Sequence, residues 1–189
     1  MTLTLRQLAF FPWWAFLIYW IVSASRLKQV KTEEAPNDRL LHIVIMVVAF
    51  CFLFRGDFGF GILGARFVAY ATGVQYAGVA LTWLGIAFAI WARYCIGSNW
   101  SGRVTVKVDH QLIQSGPYAF VRHPIYTGLL VANTGAALFI GKWQCIAALV
   151  IFLLEMSRKA LKEEKLMLSE FGDRYAEYRR HSGFLVPKF

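Results

Sequence analysis

The stretch PIYTGLLVANTGAALFI-GK-WQCIAALVIFLLEM, residues 124–156, decides the fold expected of this chain. It consists of two apolar runs, 124–140 and 143–156, which only Gly141 and Lys142 separate. So short an interruption predicts two helices joined as a tight hairpin. A helix that crosses a membrane needs about 20 predominantly apolar residues. Runs of this kind therefore indicate membrane-embedded helices.

Three further apolar runs lie upstream, at residues 8–24, 40–54 and 74–95. The run at 40–54 is short for a span, although the region up to Phe60 extends it. Hydrophobic residues make up 58% of the chain and charged residues 16%, and the mean hydropathy is +0.49. Soluble domains average about 45–50% hydrophobic residues and about 25% charged residues. We therefore predict an all-α integral membrane protein, a single domain of residues 1–189 with about five transmembrane helices.

The net charge is +9, and basic proteins often bind nucleic acid. Here, however, Lys and Arg lie mainly between and after the apolar runs, a distribution that favours anionic membrane lipids as partners and argues against nucleic acid. Because these residues concentrate in segments 25–39, 96–123 and 158–188, the positive-inside rule predicts a cytosolic C-terminus and an N-terminus on the other side. No small-residue cleavage site follows the first run, which is interpreted as a retained helix.

The three cysteines are Cys51, Cys95 and Cys145, and they lie far apart in or beside apolar runs. Their spacing matches neither a CxxC motif nor a Cys/His ligand set. We expect them to be small packing residues, and we expect neither a metal site nor a disulfide framework.

Two polar pieces remain, and both are predicted to lie on the cytosolic side. The connector Gly97–His123 contains a strand-like stretch at Val104–Val108. The tail is predicted to be a helical extension at Arg158–Glu170 that breaks at Phe171-Gly172, after which Asp173 is expected to cap a second short helix.

Ionisable residues at the ends of the apolar runs are candidates for function. Arg122 and His123 stand where the connector meets the run at 124–140. Taken alone, they are equally typical of an interfacial anchor. Glu155 lies inside the last apolar run, where an ionisable residue is a functional candidate by default. Its expected partner is Arg158 or Arg93.

A set of motifs in one order links the connector to the tail. They read Gly97-Ser98-Asn99-Trp100-Ser101, Gly116-Pro117-Tyr118…Arg122-His123-Pro124-x-Tyr126-x-Gly128, Glu163-Glu164 and Phe171-Gly172-x-x-Tyr175-x-x-Tyr178. In this order the chain resembles the isoprenylcysteine carboxyl methyltransferase family, a relative of the membrane phospholipid methyltransferases. The resemblance covers about Val79 to Pro187. It divides the domain into residues 1–73, spans without a recognisable motif, and residues 74–189, the expected catalytic core.

The resemblance implies methyl transfer from S-adenosylmethionine at the cytosolic membrane face. The cofactor would enter from water and a lipophilic or lipid acceptor from the bilayer. The residues associated with activity are Arg122 and Glu163. The cofactor contacts carried over are His110, Gln111, Leu112, Ile113, Tyr118, His123, Pro124, Ile125, Tyr126 and Glu164.

The expected roles follow from side-chain chemistry. Arg122 would orient an acceptor carboxylate or phosphate by paired hydrogen bonds. Glu163 would either hold Arg122 or accept a proton from an amine or thiol acceptor. Glu164 would hydrogen-bond the ribose or amino group of the cofactor.

The acceptor half of the site departs from the family pattern. Eukaryotic members carry an arginine assigned to substrate contact shortly before the glutamate pair, and this chain has Ala160 there, beside Lys159 and Arg158. Methylation of a carboxylate on an isoprenoid or lipid-like molecule is the main expectation, and N-methylation of a phospholipid amine is the alternative. A non-catalytic membrane scaffold is the alternative from another class.

Overall fold

The computed structural model describes residues 3–24, 30–32, 36–55, 60–100, 106–107 and 111–188. Six α-helices are described, and they are α1 Leu5–Ala24, α2 Pro36–Phe54, α3 Thr72–Ile96, α4 Pro124–Ile140, α5 Trp143–Phe171 and α6 Asp173–His181. Three single-turn 3₁₀ helices lie at Gly61–Gly64, Gly97–Asn99 and Gly116–Ala119. Two short strands, β1 Val30–Thr32 and β2 Val106–Lys107, pair in antiparallel fashion.

Each of the five predicted apolar runs is helical. The hairpin between α4 and α5 is confirmed, because Gly141 ends α4 with a φ of 73° and Lys142 precedes α5. Three helical segments are long and apolar enough to cross a membrane, and they are Leu5–Ser23, Asn37–Phe54 and Thr72–Asn99. The second is longer than predicted, because α2 begins at Pro36 rather than near Leu40.

The tail follows its prediction except at one cap. The predicted helical extension at Arg158–Glu170 is part of α5, which runs without interruption from Trp143 to Phe171. Residues 157–170 contain no Gly or Pro and are rich in Lys, Glu and Leu, all good helix formers. The break at Gly172 and the following helix α6 are as predicted, but the N-cap residue of α6 is Gly172, with a φ of 52°, and not Asp173.

Helices α3 and α4 pack antiparallel at very short distance through small residues. An added Cβ at Gly128 would lie 2.7 Å from the backbone nitrogen of Ala89, and one at Gly135 would lie 2.5 Å from that of Thr82. Glycines at such contacts let two membrane helices approach backbone to backbone. The pairing brings the C-terminal end of α3 beside the N-terminal end of α4, where the motif residues lie.

The chain after α6 returns to the connector as a strap, residues 182–188, which we call the C-terminal strap. Gly183 N donates a hydrogen bond to Phe120 O at 2.9 Å, and Arg122 N donates to Gly183 O at 2.9 Å. The Thr127 hydroxyl donates to Leu185 O at 2.7 Å. These bonds hold the end of the chain against the start of α4.

The interior of the helix bundle contains an ionic cluster between α2 and α5. Glu155 is 3% exposed and pairs with Arg158 at 2.6 Å, as predicted. Its second partner is His42 at 2.7 Å, which the sequence did not indicate, and not Arg93. The buried Cys145 packs in the apolar core beside Leu53 and Phe152, in line with its expected role.

The strand-like stretch predicted at Val104–Val108 is confirmed for its described part. Val106 and Lys107 form β2, in which Lys107 pairs with Val30 and Val106 with Thr32. The other predicted positions of this stretch lie outside the described residues. The pairing joins the connector to the segment between α1 and α2.

Candidate active site

A cleft opens where α3, the connector, α4, α5 and α6 meet. The lining residues are Ile96, Asn99, Trp100, Gln111, Leu112, Ile113, Tyr118, Arg122, His123, Ile125, Tyr126, Glu163, Leu166, Met167, Tyr175 and Tyr178. Polar groups and apolar side chains thus share one concave surface.

The 3₁₀ turn Gly116–Ala119 positions Tyr118 at the cleft. Gly116 has a φ of 61°, and an added Cβ would lie 2.9 Å from Cys95 Sγ, so the turn needs glycine for both reasons. The Tyr178 hydroxyl donates to Tyr118 O at 2.7 Å and fastens α6 to this turn. Burial raises the pKa of Tyr178 to about 12, so its hydroxyl remains a donor at neutral pH.

Arg122 and Glu164 form a nearly buried ion pair. Arg122 Nε lies 2.5 Å from Glu164 Oε1, and the two side chains are only 9% and 5% exposed. Arg122 Nη1 also donates to the carbonyl oxygens of Arg179, at 3.3 Å, and Ser182. Arg179 Nε adds a contact to Glu164 at 3.3 Å. The guanidinium therefore holds α5 to the C-terminal strap.

The partner of Arg122 differs from one of the roles expected from the sequence. Glu163 was a candidate to hold Arg122, but the neighbouring Glu164 does so. Successive residues of a helix point about 100° apart, so the two glutamates face different surroundings. Glu163 lines the cleft, and the carboxylate of Glu164 faces the arginines behind it.

Residues at the start of α4 contact Glu163 from two sides. The Tyr126 hydroxyl donates to Glu163 Oε1 at 2.6 Å, and His123 Nδ1 lies 3.5 Å from Glu163 Oε2. The His123 ring stacks on Tyr126 with centroids 5.6 Å apart and meets Phe184 of the strap edge-on at 5.3 Å. These contacts fix both the carboxylate and the imidazole.

The electrostatics of this group favour a protonated His123 beside two ionised glutamates. Burial of His123 disfavours its charged form, but its contacts with the carboxylates of Glu163 and then Glu164 outweigh burial and raise its pKa. Burial would raise the pKa of Glu163, yet the contacts with His123, Lys159 and Tyr126 lower it. Burial would also raise the pKa of Glu164, but its contacts with His123 and Arg122 lower it. The cleft therefore presents an ionised carboxylate at neutral pH.

The structure brings most of the expected site residues together. Those that line the cleft are Gln111, Leu112, Ile113, Tyr118, Arg122, His123, Ile125, Tyr126 and Glu163. Pro124 and Glu164 lie beside the cleft without lining it. His110 lies outside the described residues.

Several cleft residues were not among the sequence candidates. Asn99, Trp100, Tyr175 and Tyr178 stand in the motifs quoted above, so the motifs already contained the signal. Leu166 and Met167 follow Glu163 by three and four residues on α5, and this spacing puts all of them on one face of the helix. Ile96 had no local signal, because it resembles any apolar residue near the end of α3.

The cleft fits S-adenosylmethionine, the cofactor that the resemblance implies. A cationic ligand requires an anionic group, which Glu163 provides, and its polar groups require donors and acceptors such as Asn99 and Gln111. His123 Nε2 is a buried atom without a hydrogen-bond partner among the described residues. It lies 3.5 Å from Glu164, beyond an ordinary hydrogen bond.

Comparison with known proteins shows similarity to one family over part of the chain. The model of the isoprenylcysteine carboxyl methyltransferase (ICMT) family matches residues 78–170. A protein-S-isoprenylcysteine O-methyltransferase from Schizosaccharomyces pombe is 34% identical over 80 residues, which is 42% of this chain and 34% of that protein. Methanethiol S-methyltransferase 1 from Bradyrhizobium diazoefficiens is 33% identical over 70 residues, 37% of this chain and 24% of that protein.

A solved structure shares the fold. It is that of a eukaryotic intramembrane Ras methyltransferase ICMT, with a TM-score of 0.61 and 24% identity over 83% of this chain and 54% of that one. The architecture described above is thus an ICMT-like membrane fold. The chain spans 34% of the S. pombe relative's length and about half of the solved one. The matched region begins at residue 78, one residue before the start expected from the motifs.

Proposed function

Because residues 78–170 of this chain match the model of the isoprenylcysteine carboxyl methyltransferase family, we propose that the chain is a member of this family and a methyltransferase that uses S-adenosylmethionine. The acceptor is a membrane-soluble molecule, and the main candidate is an isoprenylcysteine-type carboxylate. The observation that carries the proposal is the cleft itself. Motif residues separated by dozens of positions, such as Asn99, Tyr126 and Glu163, line one cavity.

The cofactor would be held by the polar wall of the cleft. S-adenosylmethionine, when bound, supplies a methyl group that its positively charged sulfur already activates. The Glu163 carboxylate would attract that positive charge, and aromatic faces such as those of Tyr118 and Tyr175 also attract cations. Asn99 and Gln111 offer amide groups to the polar parts of the molecule. With the methyl already activated, the main task of these residues is alignment of donor and acceptor.

The acceptor proposal rests on the membrane character of the helices and on the names of the relatives. The S. pombe relative is named for the methylation of isoprenylcysteine. The cleft lies at the ends of α3 and α4, two apolar helices whose outer faces would meet lipid. An acceptor with an isoprenoid or lipid tail would keep that tail in the bilayer while its head group enters the cleft. The partners are accordingly a lipophilic substrate and membrane lipids.

A second candidate acceptor carries a proton on nitrogen or sulfur. Arg122 is the one basic side chain of Lys or Arg among the described residues that line the cleft, and its guanidinium is already bonded to Glu164. Glu163, in contrast, offers an anionic group to the cavity. A carboxylate acceptor would meet like charge there, whereas an amine or thiol could transfer its proton to Glu163. The relative named for methanethiol methylation is consistent with the thiol form.

The membrane topology is part of the same proposal. The bundle would cross the bilayer five times, with α4 and α5 as the last hairpin, and the cleft and C-terminus would face the cytosol. The support is the concentration of Lys and Arg in segments 25–39, 96–123 and 158–188. A reporter fused after the last residue would be active in the cytosol only if this orientation is correct.

The test is donor binding followed by methyl transfer with purified protein in lipid nanodiscs. Calorimetry should detect saturable binding of S-adenosylmethionine, and Glu163→Gln should weaken it because the variant loses the anionic group. Glu170→Gln, an exposed position on the same helix, is the matched control and should bind normally. A folded wild-type protein without donor binding in several membrane mimetics would refute the enzyme and favour the non-catalytic scaffold.

The acceptor class is tested with labelled methyl donor. The candidates are N-acetyl-S-farnesylcysteine, a phosphatidylethanolamine and a long-chain alkyl thiol. Base-labile methyl ester on the first compound supports carboxyl methylation. Label on the amine or thiol instead, with loss on Glu163→Gln that is most severe at low pH, supports the second candidate.

A further inference from the structure

Arg93 is a charged residue buried near the end of α3, outside the ion pairs described so far. It is 3% exposed, and burying a charged group is costly unless it gains specific partners. Its Nη1 donates to Gly97 O at 2.7 Å and its Nη2 donates to Ser23 O, at the end of α1, at 2.9 Å. Arg93 Nε has no hydrogen-bond partner among the described residues. The guanidinium thus joins α1 to the turn after α3.

Two tryptophans enclose the same guanidinium. Arg93 Cζ lies 4.5 Å from the centroid of the Trp100 ring and 5.9 Å from that of Trp20. The two rings meet edge to face, with centroids 4.8 Å apart and an interplanar angle of 80°. The negative face of an indole ring attracts a guanidinium, and more strongly where the charge is buried. We call this group, Arg93, Trp20 and Trp100, the tryptophan clamp.

The tryptophan clamp reaches from the outside of the bundle to the cleft. Trp100 lines the cleft. Trp20 belongs to α1, of whose apolar window only 11% is buried, so most of that helix faces outward. Both rings pack against the apolar cluster of Ala92, Tyr118 and Ile125 beneath the cleft. The clamp therefore forms a wall between the cavity and the surface that an apolar environment would cover.

We propose that Arg93 is a positioning residue for the acceptor: by holding Trp20 and Trp100 it shapes the lipid-side wall of the cleft, along which the apolar part of the acceptor lies. This inference rests on the proposed function, since it presumes an acceptor that enters from the bilayer. It also gives α1 a part in the site, although α1 precedes the family-matched region 78–170. Lysine cannot replace arginine here, because only the planar guanidinium stacks on a ring while it donates to two carbonyls.

The test compares Arg93→Lys with Arg66→Lys in nanodiscs. Arg66 is a matched control, because it also stacks on an aromatic ring, that of Tyr70 at 5.0 Å, and donates to a backbone carbonyl. It lies beside Gly141, between α4 and α5, at the end of α4 away from the cleft. Calorimetry gives the Kd of S-adenosylmethionine, and initial rates with N-acetyl-S-farnesylcysteine give KM and kcat. Near-ultraviolet circular dichroism of the ligand-free proteins reports the Trp20–Trp100 pair.

Arg93→Lys should raise the acceptor KM by about tenfold, keep the donor Kd within about twofold of wild type, and weaken the tryptophan dichroism. Arg66→Lys should change none of these. An unchanged acceptor KM, or a donor Kd that rises by the same factor, would overturn the inference. If Arg93→Lys does not fold, Trp20→Leu replaces it, because this change leaves both hydrogen bonds of Arg93 intact. The acceptor KM and the donor Kd of that variant are then judged by the same criteria.

Failure of the proposed function gives a different pattern. Wild-type protein that binds no donor, or methylates no acceptor, refutes that proposal whatever the variants do. The dichroism then decides the positioning role by itself. A tryptophan signal that is the same in wild type and Arg93→Lys, while Trp20→Leu loses it, would show that Arg93 does not hold the clamp.

Discussion

Replacement of Arg122 by leucine tests how the end of the chain is held. The change removes one hydrogen bond to the Glu164 carboxylate and two to the carbonyls of Arg179 and Ser182. A hydrogen bond to a charged group contributes about 1.5–3 kcal/mol and a neutral one about 0.5–1.5 kcal/mol. Breaking a buried ion pair from one side costs about 3–5 kcal/mol. Glu164 keeps contacts with Arg179 and His123, so we expect a loss of about 3 kcal/mol.

The loss should appear in two measurements. Equilibrium unfolding in detergent, followed by tryptophan fluorescence, gives the free energy of unfolding. Carboxypeptidase digestion followed by mass spectrometry reports release of the C-terminal strap, since Arg122 N and its side chain bind Gly183 and Ser182. The strap should be digested much faster in the variant than in wild type.

The control is Arg180→Leu, which breaks an exposed ion pair with Glu177. Exposed pairs of this kind contribute little to stability, so unfolding and digestion should match wild type within error. The double variant Arg122→Leu/Glu164→Leu should be more stable than Arg122→Leu alone, because it removes the uncompensated carboxylate as well. The reasoning is refuted if Arg122→Leu costs no more than Arg180→Leu, or if removing both charges is worse than removing one.

Three shorter predictions concern other contacts. Gly128→Val should prevent close packing of α3 and α4 and lower thermal stability in detergent by at least about 3 kcal/mol, whereas Gly73→Val, where an added Cβ meets nothing within 4 Å, should have little effect through packing. Tyr178→Phe should cost about 1–2 kcal/mol through loss of its buried hydrogen bond, and the exposed Tyr76→Phe should be neutral in the same unfolding assay. The raised pKa of His123 means that its ion pairs stabilise the fold fully below its unfolded pKa of about 6.5 and that this stabilisation is lost as pH rises through the folded pKa. His123→Gln should therefore remove part of the alkaline decrease in melting temperature, and an identical pH profile would contradict the assignment.

Hydropathy alone predicted the helical part of the fold well. The runs around Gly141 and Lys142 folded as the expected hairpin, because a glycine with positive φ ends one helix where the next can begin. The polar part of α5 was also predicted, as a helical extension from Arg158 to Glu170, although the residues change there from apolar to charged. A change in polarity marks where a helix leaves an apolar environment, and it does not mark where the backbone hydrogen bonds end.

The candidate site was predictable only in part. The motifs gave the positions around Tyr118, His123 and Glu163, which the structure brings into one cleft. The strap contacts of Arg122 were not predictable, because they join residues 57 and 60 positions apart through backbone carbonyls. Such acceptors exist at every residue, so no side-chain pattern in the sequence identifies them. The pairing of His42 with Glu155 was hidden for a related reason, a separation of 113 positions.

The adjacent glutamates explain how one helix, α5, can both line the cleft and hold the C-terminal strap. Glu163 faces the cavity and Glu164 faces the arginine that binds the strap, yet His123 lies 3.5 Å from each of them. A positive charge on His123 is shared between the two carboxylates. Any ligand that neutralises Glu163 would therefore leave more of that charge to Glu164 and shift the balance among His123, Arg122 and Arg179. The ring of His123 also packs against Phe184 of the strap, so electrostatics and packing act on the same segment.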